Sequence, residues 1–273
     1  MSKRLLPVLP GSLLLAMIVG IPLAGAQERP RYPWSGDWYL TVGAVGLVAP
    51  KFEGAERRAF TIQPIISLGR QGSSVPFSSR NDNISLAFID TQTFRAGIAG
   101  KLVFRRDGDT ADELEGLDPV RFGVEVGGFA EVYPTDWLRI RGEVRRGFRS
   151  HEGIVADVAA DAFTDLTPTL RLSGGPRISF ASQEYFDAHY GVDAEDAVES
   201  GLSRYDPGGG IKSVGAGGAL TWQTTEKITT SIFAEYERLM GPAADSSLVE
   251  ERGSANQLSF GLSATYRFDF SLP

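Results

Sequence analysis

The chain lacks cysteine entirely, and it lacks any long apolar stretch after its first 26 residues. Without cysteine, neither disulfide bonds nor thiol chemistry can contribute to its stability or activity. A membrane-spanning helix needs roughly 20 consecutive apolar residues, which residues 27–273 do not provide. Basic side chains are outnumbered, with 27 lysines and arginines against 34 aspartates and glutamates, and this argues against nucleic acid as a partner.

The first 26 residues have the organisation of a cleaved export signal. Lys3 and Arg4 give a basic start, residues 13–19 are apolar, and residues 24–26 form a small–x–small cleavage site. A membrane anchor helix is the alternative, but three prolines interrupt a run that is already short for a span. We therefore expect residues 1–26 to be removed and residues 27–273 to form one exported domain.

Residues 257–270 alternate strictly between apolar and polar side chains. A period of two is typical of a β-strand, because successive side chains point to opposite faces of the pleat. One face would carry Leu258, Phe260, Leu262, Ala264, Tyr266, Phe268 and Phe270, and the other Gln257, Ser259, Gly261, Ser263, Thr265, Arg267 and Asp269.

The same alternation recurs along most of the chain, with charged side chains on one face of each segment. One face must meet an apolar medium while the other stays wet, which an outer-membrane β-barrel achieves. The fold class that we predict is all-β, an antiparallel transmembrane barrel. Its roughly twelve strands would span residues 37–47, 59–69, 74–79, 84–90, 93–105, 120–132, 136–148, 153–164, 167–181, 211–223, 227–239 and 257–270.

The connections between these segments alternate in length, provided that residues 74–79 form a strand of their own. Outer-membrane barrels have short periplasmic turns and longer external loops. We therefore expect long external loops near residues 106–119, 182–210 and 240–256, both termini in the periplasm, and a location in the outer membrane of a Gram-negative bacterium. A soluble lipocalin-like barrel or sandwich, with the apolar face inward, is the alternative that periodicity alone leaves open.

Two blocks in the last third of the chain have recognisable motifs. The first contains Tyr185, Phe186, Tyr190, Gly191, Ser200, Gly201 and Tyr205, and the second contains Asp245, Arg252, Gly253, Ser254 and Gln257. These blocks resemble the MltA-interacting protein (MipA)/OmpV family. The ending Tyr266-Arg267-Phe268 is similar to the family's usual ending, and Pro50-x-Phe52-x-Gly54 to its first-loop pattern.

The resemblance implies an outer-membrane barrel, and the family pattern establishes no catalytic residues that could be carried over to this chain. We expect no catalytic residues, no cofactor and no metal. One branch of the family resembles a scaffold that joins a lytic murein transglycosylase to a murein synthase, and others resemble adhesion or porin-like proteins. We expect a structural scaffold, with a porin-like channel for small solutes as the alternative. The expected surroundings are outer-membrane lipid and lipopolysaccharide, and Tyr266 and Phe268 resemble the terminal signal of barrels handled by the outer-membrane assembly machinery.

Two loops contain residues that could form a metal site or a hydrolase site. The acidic segment 106–119 could offer oxygen ligands to Ca²⁺, although its spacing departs from the EF-hand pattern, and a solvated loop is the preferred interpretation. Ser150, His151 and Glu152 in an external turn, with His189 in the long loop, could suggest a lipid-acyl hydrolase, but two ordinary loop histidines are the preferred interpretation. Neighbouring side chains on a strand point apart, so Ser150 and His151 are poorly placed to share a proton.

The polar faces carry sixteen charged side chains in the predicted lumen, and each charge there must be either paired with an opposite charge or hydrated. They could line a channel that selects anions, or form a network of cross-strand ion pairs, which we favour. The residues are Arg95, Lys101, Arg105, Arg121, Arg139, Arg141, Arg145, Arg171, Arg177 and Arg267, against Glu125, Glu131, Glu143, Glu235, Glu237 and Asp269. The long loops, rich in aromatic residues and glycine, are expected to pack together as a cap over the barrel mouth.

Overall fold

The computed structural model describes residues 36–70, 77–79 and 81–272. The region of the expected export signal lies outside these residues. Eleven strands are described: β1 (Gly36–Pro50), β2 (Arg58–Arg70), β3 (Ile84–Asp90), β4 (Phe94–Val103), β5 (Gly123–Thr135), β6 (Leu138–Phe148), β7 (Ile154–Thr167), β8 (Leu170–Ala181), β9 (Gly210–Gln223), β10 (Ile228–Leu239) and β11 (Asn256–Leu272).

The strands form one antiparallel sheet in the order β2-β1-β11-β10-β9-β8-β7-β6-β5-β4-β3. The sheet curls until its two outermost strands, β2 and β3, come into contact. The first and last of the described strands, β1 and β11, are neighbours, and Gly36 pairs with Leu272. This arrangement confirms the prediction of an antiparallel β-barrel of about twelve strands, with eleven of them in the described part of the chain.

The two ends of the barrel differ in the length of their connections. Short turns at residues 91–93, 136–137, 168–169 and 224–227 lie at the same end as Gly36 and Leu272, and we call this the turn end. The opposite end, called the loop end, carries residues 51–57, 104–122, 149–153, 182–209 and 240–255. Its short helices are α1 (Gln183–Tyr190), α2 (Ala194–Ser200), α3 (Gly241–Ala244) and α4 (Ser247–Arg252), with a 3-10 turn at Asp112–Leu114.

The predicted strand at residues 74–79 is wrong where the structure describes it. Residues 77–79 are not in a strand, and the side chains of Phe77, Asn81 and Asp82 contact inward-facing groups of the barrel wall. Residues 74–76 lie outside the described residues. Because β2 and β3 both run from the loop end towards the turn end, the chain between them has to return. Of this return, residues 77–79 and 81–83 are described, and they lie inside the barrel.

The outer face of the sheet is an apolar belt. Alternate side chains on every strand point outward, as the strict period of two requires. Exposed members include Phe60, Ile62, Ile66, Ile84, Phe88, Ile98, Leu102, Val126, Val144, Ile154, Val158, Leu172, Trp222, Ile232, Phe260, Leu262, Tyr266 and Phe268. The even-numbered residues of β11 are thus on the outside, as predicted.

No helix in the described residues has both the length and the apolar character that crossing a membrane requires.

A charge in this belt should destabilise the barrel according to its depth. Leu262 is 63% exposed near the middle of β11, and Phe270 lies on the same face near the turn end. Leu262→Arg should cost about 2–4 kcal/mol and Phe270→Arg about 0–1 kcal/mol, because an arginine is most costly at the bilayer midplane. Urea titration of folding into liposomes, read from gel mobility, measures both. Equal losses for the two variants would contradict the assignment of this face to lipid.

Candidate functional site

The barrel interior is filled by a network of ion pairs that begins on β4, β5 and β6. The register places Arg95, Glu131 and Arg141 directly opposite one another on these strands. Glu131 is 1% exposed and accepts from Arg95 Nη1 at 2.5 Å, from Arg141 Nη1 at 3.0 Å and from the Tyr133 hydroxyl at 3.1 Å. Buried carboxylates are tolerated only when they are paired in this way.

Arg139 extends the network to β7. Its Nη2 donates to Asp161 at 2.7 Å, and its Nη1 lies 3.5 Å from Glu131. The guanidinium also stacks over the ring of Phe77, 5.0 Å from its centroid. Arg177 on β8 reaches the other oxygen of Asp161 at 3.1 Å and Glu235 on β10 at 3.3 Å, so the network crosses the lumen.

Arg145 organises the half of the network nearer the loop end. Its Nε donates to Glu125 at 2.7 Å and its Nη2 to Asp157 at 2.7 Å, while its Nη1 donates to Glu143. Glu125 also accepts from His151 Nε2 at 3.2 Å. The predicted network of cross-strand ion pairs is therefore present, and these side chains leave the lumen filled at their level.

An ordered cap closes the loop end above this network. Tyr185, Phe186 and Tyr190 of α1 are buried together with Leu239 and Val249. A second apolar cluster joins four loops and contains Phe52, Ala55, Ala111, Leu114, Val192, Leu202 and Leu248. The prediction that the two long loops pack together is confirmed, and residues 51–57 and 104–122 belong to the same cap.

The residues that carry the family resemblance lie mostly at contacts between these loops. Tyr205 donates to the carbonyl of Pro242 at 3.0 Å, and Arg252 Nη1 donates to the carbonyl of Glu113 at 3.0 Å. Gln257 Oε1 accepts from the amide of Gly54 at 3.2 Å. Four other residues of the set lie at helix ends: Gly191 follows α1, Ser200 ends α2 and Gly201 follows it, and Asp245 follows α3. Gly253 and Ser254 lie against Gly54 and Ala55.

Gly253 shows why one of these positions needs glycine. Its backbone passes close to Gly54, and a Cβ atom at residue 253 would lie 2.2 Å from the Gly54 carbonyl oxygen. Gly54 itself has a φ of 104°, a conformation that side chains disfavour. The first and last loops can therefore join only because both residues lack a side chain.

Glu53 ties the cap to the barrel wall, and sequence reasoning missed it. Its carboxylate accepts from Lys212 Nζ of β9 at 2.7 Å and from the hydroxyl groups of Tyr190 at 2.6 Å and Tyr185 at 3.2 Å. Burial alone would raise the pKa of Glu53, but the Lys212 ammonium and the tyrosine hydroxyl of Tyr190 lower it to about 2. In the sequence, the feature that could have indicated Glu53 is its position between Phe52 and Gly54, inside the first-loop pattern.

His189 is buried in the same cap. Its ring stacks on Tyr185 with centroids 4.2 Å apart, and its Nδ1 lies 3.0 Å from the Tyr185 carbonyl oxygen. Arg106 donates to the carbonyl of His189, and His151 lies against its ring. Burial, together with the charge of Arg106, lowers the pKa of His189 from 6.5 to about 3, so the imidazole is neutral in the folded cap.

The cap should therefore loosen as the pH falls. Between pH 6.5 and about 3 the unfolded loop binds a proton at His189 that the folded loop does not, so cap stability decreases as pH is lowered through this window. Limited proteolysis of the cap between about pH 7 and pH 5 measures the effect. His189→Gln should flatten this dependence, and an unchanged pH profile in the variant would contradict the assignment.

The residues considered for a lipid-acyl hydrolase and for a calcium site have other partners in the structure. The Ser150 hydroxyl has no hydrogen-bond partner, whereas His151 donates to Glu125 and packs against Gly147, so Ser150 and His151 do not form a proton-sharing pair. Within the described residues, no cluster of three potential metal ligands occurs. In the acidic loop, Asp112 and Glu113 instead pair with Arg57, at 3.2 and 2.5 Å.

An apolar belt around a curled antiparallel sheet, a charged interior and long loops at one end define the chain as an outer-membrane β-barrel of the Gram-negative envelope. A family model described as MltA-interacting protein MipA matches residues 42–268. The chain belongs to this family. No curated protein matches it.

Several solved outer-membrane proteins are similar in structure at low identity. A bacterial polysaccharide outer membrane secretin has a TM-score of 0.43 and 9% identity, over 85% of this chain and 98% of that one. Neisserial surface protein A has a TM-score of 0.27 and 13% identity, over 86% and 99%. OprG from Pseudomonas aeruginosa has a TM-score of 0.29 and 8% identity, over 86% and 97%. Nothing about the function of this chain follows from these similarities.

Proposed function

We propose that this barrel is a structural scaffold of the envelope that holds a murein-lytic transglycosylase and a murein synthase near each other. The observation that carries the proposal is the match of residues 42–268 to a family described by its interaction with MltA. A scaffold needs a rigid body with a fixed surface, and an interior filled by paired charges supplies rigidity. It does not need an open pore.

The filled lumen supports a scaffold over a permanently open porin. Glu131, Arg139 and Arg145 are almost fully buried in the interior, and the cap covers the loop end. A diffusion channel of the porin type requires a water-filled lumen. The wall, the turns and the cap are then the surfaces through which the protein acts.

The turn end is the surface that we assign to the enzymes. Murein lies in the periplasm, and the short turns of outer-membrane barrels face that compartment. Asp136 and Glu226 are exposed in two of these turns, while Glu195 and Glu199 are exposed on α2 at the opposite end. The two pairs allow the same change of charge to be made at either end of the molecule.

Affinity capture of the tagged barrel from detergent extracts of envelopes tests the proposal. The wild type should recover a murein transglycosylase and a murein synthase. Asp136→Lys with Glu226→Lys should reduce recovery, whereas Glu195→Lys with Glu199→Lys should not. Failure of the folded wild type to recover either enzyme would refute the scaffold, and loss only in the α2 variant would refute the assignment to the turn end.

A further inference from the structure

The charged side chains on the outward face of the sheet are of one sign and lie at one end. Among the outward strand positions whose side chains the structure describes, the charged residues are Arg58, Arg146 and Arg238, each within three residues of the loop end of its strand. At the edge of the apolar belt an arginine costs little, and a carboxylate costs less still. Cost alone therefore does not explain why these positions carry only arginine, and their sign points to anionic groups around the loop end.

Arg238 is held on the outer wall by neutral partners. Its Nη1 donates to Asn256 Oδ1 at 3.2 Å, and the hydroxyl of Tyr236 donates to the same oxygen at 2.7 Å. Asn256 is paired with Arg238 across the ladder, so these three side chains share the outward face. No carboxylate in the described part of the chain forms an ion pair with Arg238. Its positive charge therefore remains available to an anion, with a hydroxyl and an amide beside it.

An apolar groove of about 480 Å³ lies on the wall between Arg238 and the turn end. Gly218 and Ala234 form its floor, because they are paired on neighbouring strands and both are small. The larger outward side chains around this floor are Leu172, Leu220, Ile232, Phe260 and Leu262. The groove thus opens towards lipid, and nothing polar on its floor would favour water over hydrocarbon.

The groove and Arg238 have the relative placement of a lipid tail and its head group. Arg238 lies four residues from Ala234, about 14 Å along β10, with Tyr236 between them. Across the strands, one ladder row joins Leu172 on β8 to Leu262 on β11. This row covers three strand spacings, about 14 Å. Such a width accommodates several acyl chains lying side by side beneath one anionic head group.

We propose that this groove and Arg238 form a binding site for lipopolysaccharide, with its acyl chains in the groove and a phosphate of its lipid A on Arg238. The loop end faces the external leaflet, where lipopolysaccharide is the phosphorylated lipid with many acyl chains. An arginine fork matches a phosphate, and the bond from Nη1 to Asn256 leaves the Nε–Nη2 edge for it. The site is independent of the proposed scaffold, which uses the turn end.

Native mass spectrometry of the refolded full-length barrel in detergent, titrated with diphosphoryl lipid A, tests the head-group contact. The wild type should bind one lipid A. Arg238→Gln should weaken binding about tenfold or more, the change expected from losing a charge-assisted hydrogen bond. Arg146→Gln is the matched control, because it removes an outward arginine at the same end that lies outside the groove. This control should retain the wild-type affinity.

A second pair of variants tests the groove. Ala234→Phe places a ring on the floor and should weaken the binding of lipid A without any change of charge. Ala130→Phe makes the same change at an outward position of β5, where Ala130 pairs with Ala96 and Gly142, and should leave binding unchanged. Gel mobility before and after heating shows that each variant is folded.

Two further lipids distinguish the source of the phosphate. Dephosphorylated lipid A should bind equally to the wild type and to Arg238→Gln, and phosphatidylglycerol should bind more weakly than lipid A. Equal affinity of folded Arg238→Gln and Arg146→Gln for lipid A would overturn the proposal, as would phosphatidylglycerol binding as tightly as lipid A. A lipid-free dimer that Ala234→Phe dissociates would also overturn it, because the groove would then hold a second copy of the chain.

Capture of murein enzymes by the same variants keeps this site separate from the scaffold. Arg238→Gln should recover the enzymes as the wild type does, because Arg238 lies at the loop end. Loss of lipid A binding with normal recovery of the enzymes supports the lipid site alone. Lipid A binding without any recovery of the enzymes refutes the scaffold and leaves the lipid site in place.

Discussion

Deleting residues 266–273 is expected to abolish assembly of the barrel. β11 lies between β1 and β10, and its residue Tyr266 pairs with Val42 on β1 and with Ile228 on β10. The deletion removes β11 from Tyr266 to the turn end, and over this length β1 loses its connection to the rest of the sheet. Unpaired backbone N–H and C=O groups in lipid cost several kcal/mol each, and no water is present to satisfy them. The truncated chain should fail to fold and should be degraded.

Heat-modifiable gel migration and the amount of protein in the outer membrane measure this outcome. Deleting only residues 271–273 is the control, because Phe270 and its pairing with Trp38 remain. This shorter deletion should assemble with at most a modest loss. Normal migration of the chain that lacks residues 266–273 would show that β11 is dispensable for closing the sheet.

Glu131→Gln is expected to destabilise the folded barrel by about 3–5 kcal/mol, the usual cost of breaking a buried ion pair. Three guanidinium groups, those of Arg95, Arg139 and Arg141, lie within 3.5 Å of its carboxylate. A neutral amide of the same shape removes the opposing charge and directs its own NH₂ group at a donor. Since the lumen stays filled around the new side chain, water cannot compensate.

Urea-induced unfolding in liposomes gives the free energy of unfolding for this comparison. Asp165→Asn is the matched control, because it breaks an ion pair with Arg171 that is largely exposed. Exposed pairs contribute about 0–1 kcal/mol. If the two variants unfold at the same urea concentration, the interior network does not stabilise the barrel in the way that its burial implies.

The strands could be predicted because lipid and lumen impose opposite requirements on alternate residues. In residues 84–90 the prediction and β3 coincide, and for the other described strands the predicted ends differ by a few residues, whereas the strand predicted at residues 74–79 is wrong where the structure describes it. A shift of one residue would expose every charged side chain to lipid, so the pattern also determines which face is outside. The ion pairs between Arg95, Glu131 and Arg141 follow from the same alternation once the register is known.

The inward path of residues 77–79 and 81–83 could not be predicted from periodicity. Residues 77–83 are too short and polar to show a period, and the contacts of Asp82 with Arg139 and of Asn81 with Glu235 join residues far apart in sequence. The helices of the cap were missed for a related reason. They are four to eight residues long, and α1 is fixed mainly by packing of Tyr185, Phe186 and Tyr190 against other loops.

The cap was recognised through aromatic residues and glycines, but its polar centre was not. Tyr185 and Tyr190 stood out because exposed loops rarely carry such apolar area. Glu53 and Lys212 did not, since a buried ion pair between distant residues resembles two surface charges in the sequence. Only the three-dimensional arrangement shows that Glu53 joins α1 to the wall.

The ladder between β1 and β11 determines when the barrel can close. Its pairs, from Gly36 with Leu272 to Val48 with Phe260, join the first and the last of the described strands in chain order. Hairpins such as β5–β6 need only local contacts, whereas this seam must wait until the last strand has been made and exported. Contacts between such distant residues form slowly and leave strand edges exposed meanwhile. The unclosed chain therefore depends on protection by other proteins during its passage to the membrane. The time for which it needs this protection is determined by how long the pairing of β1 with β11 takes.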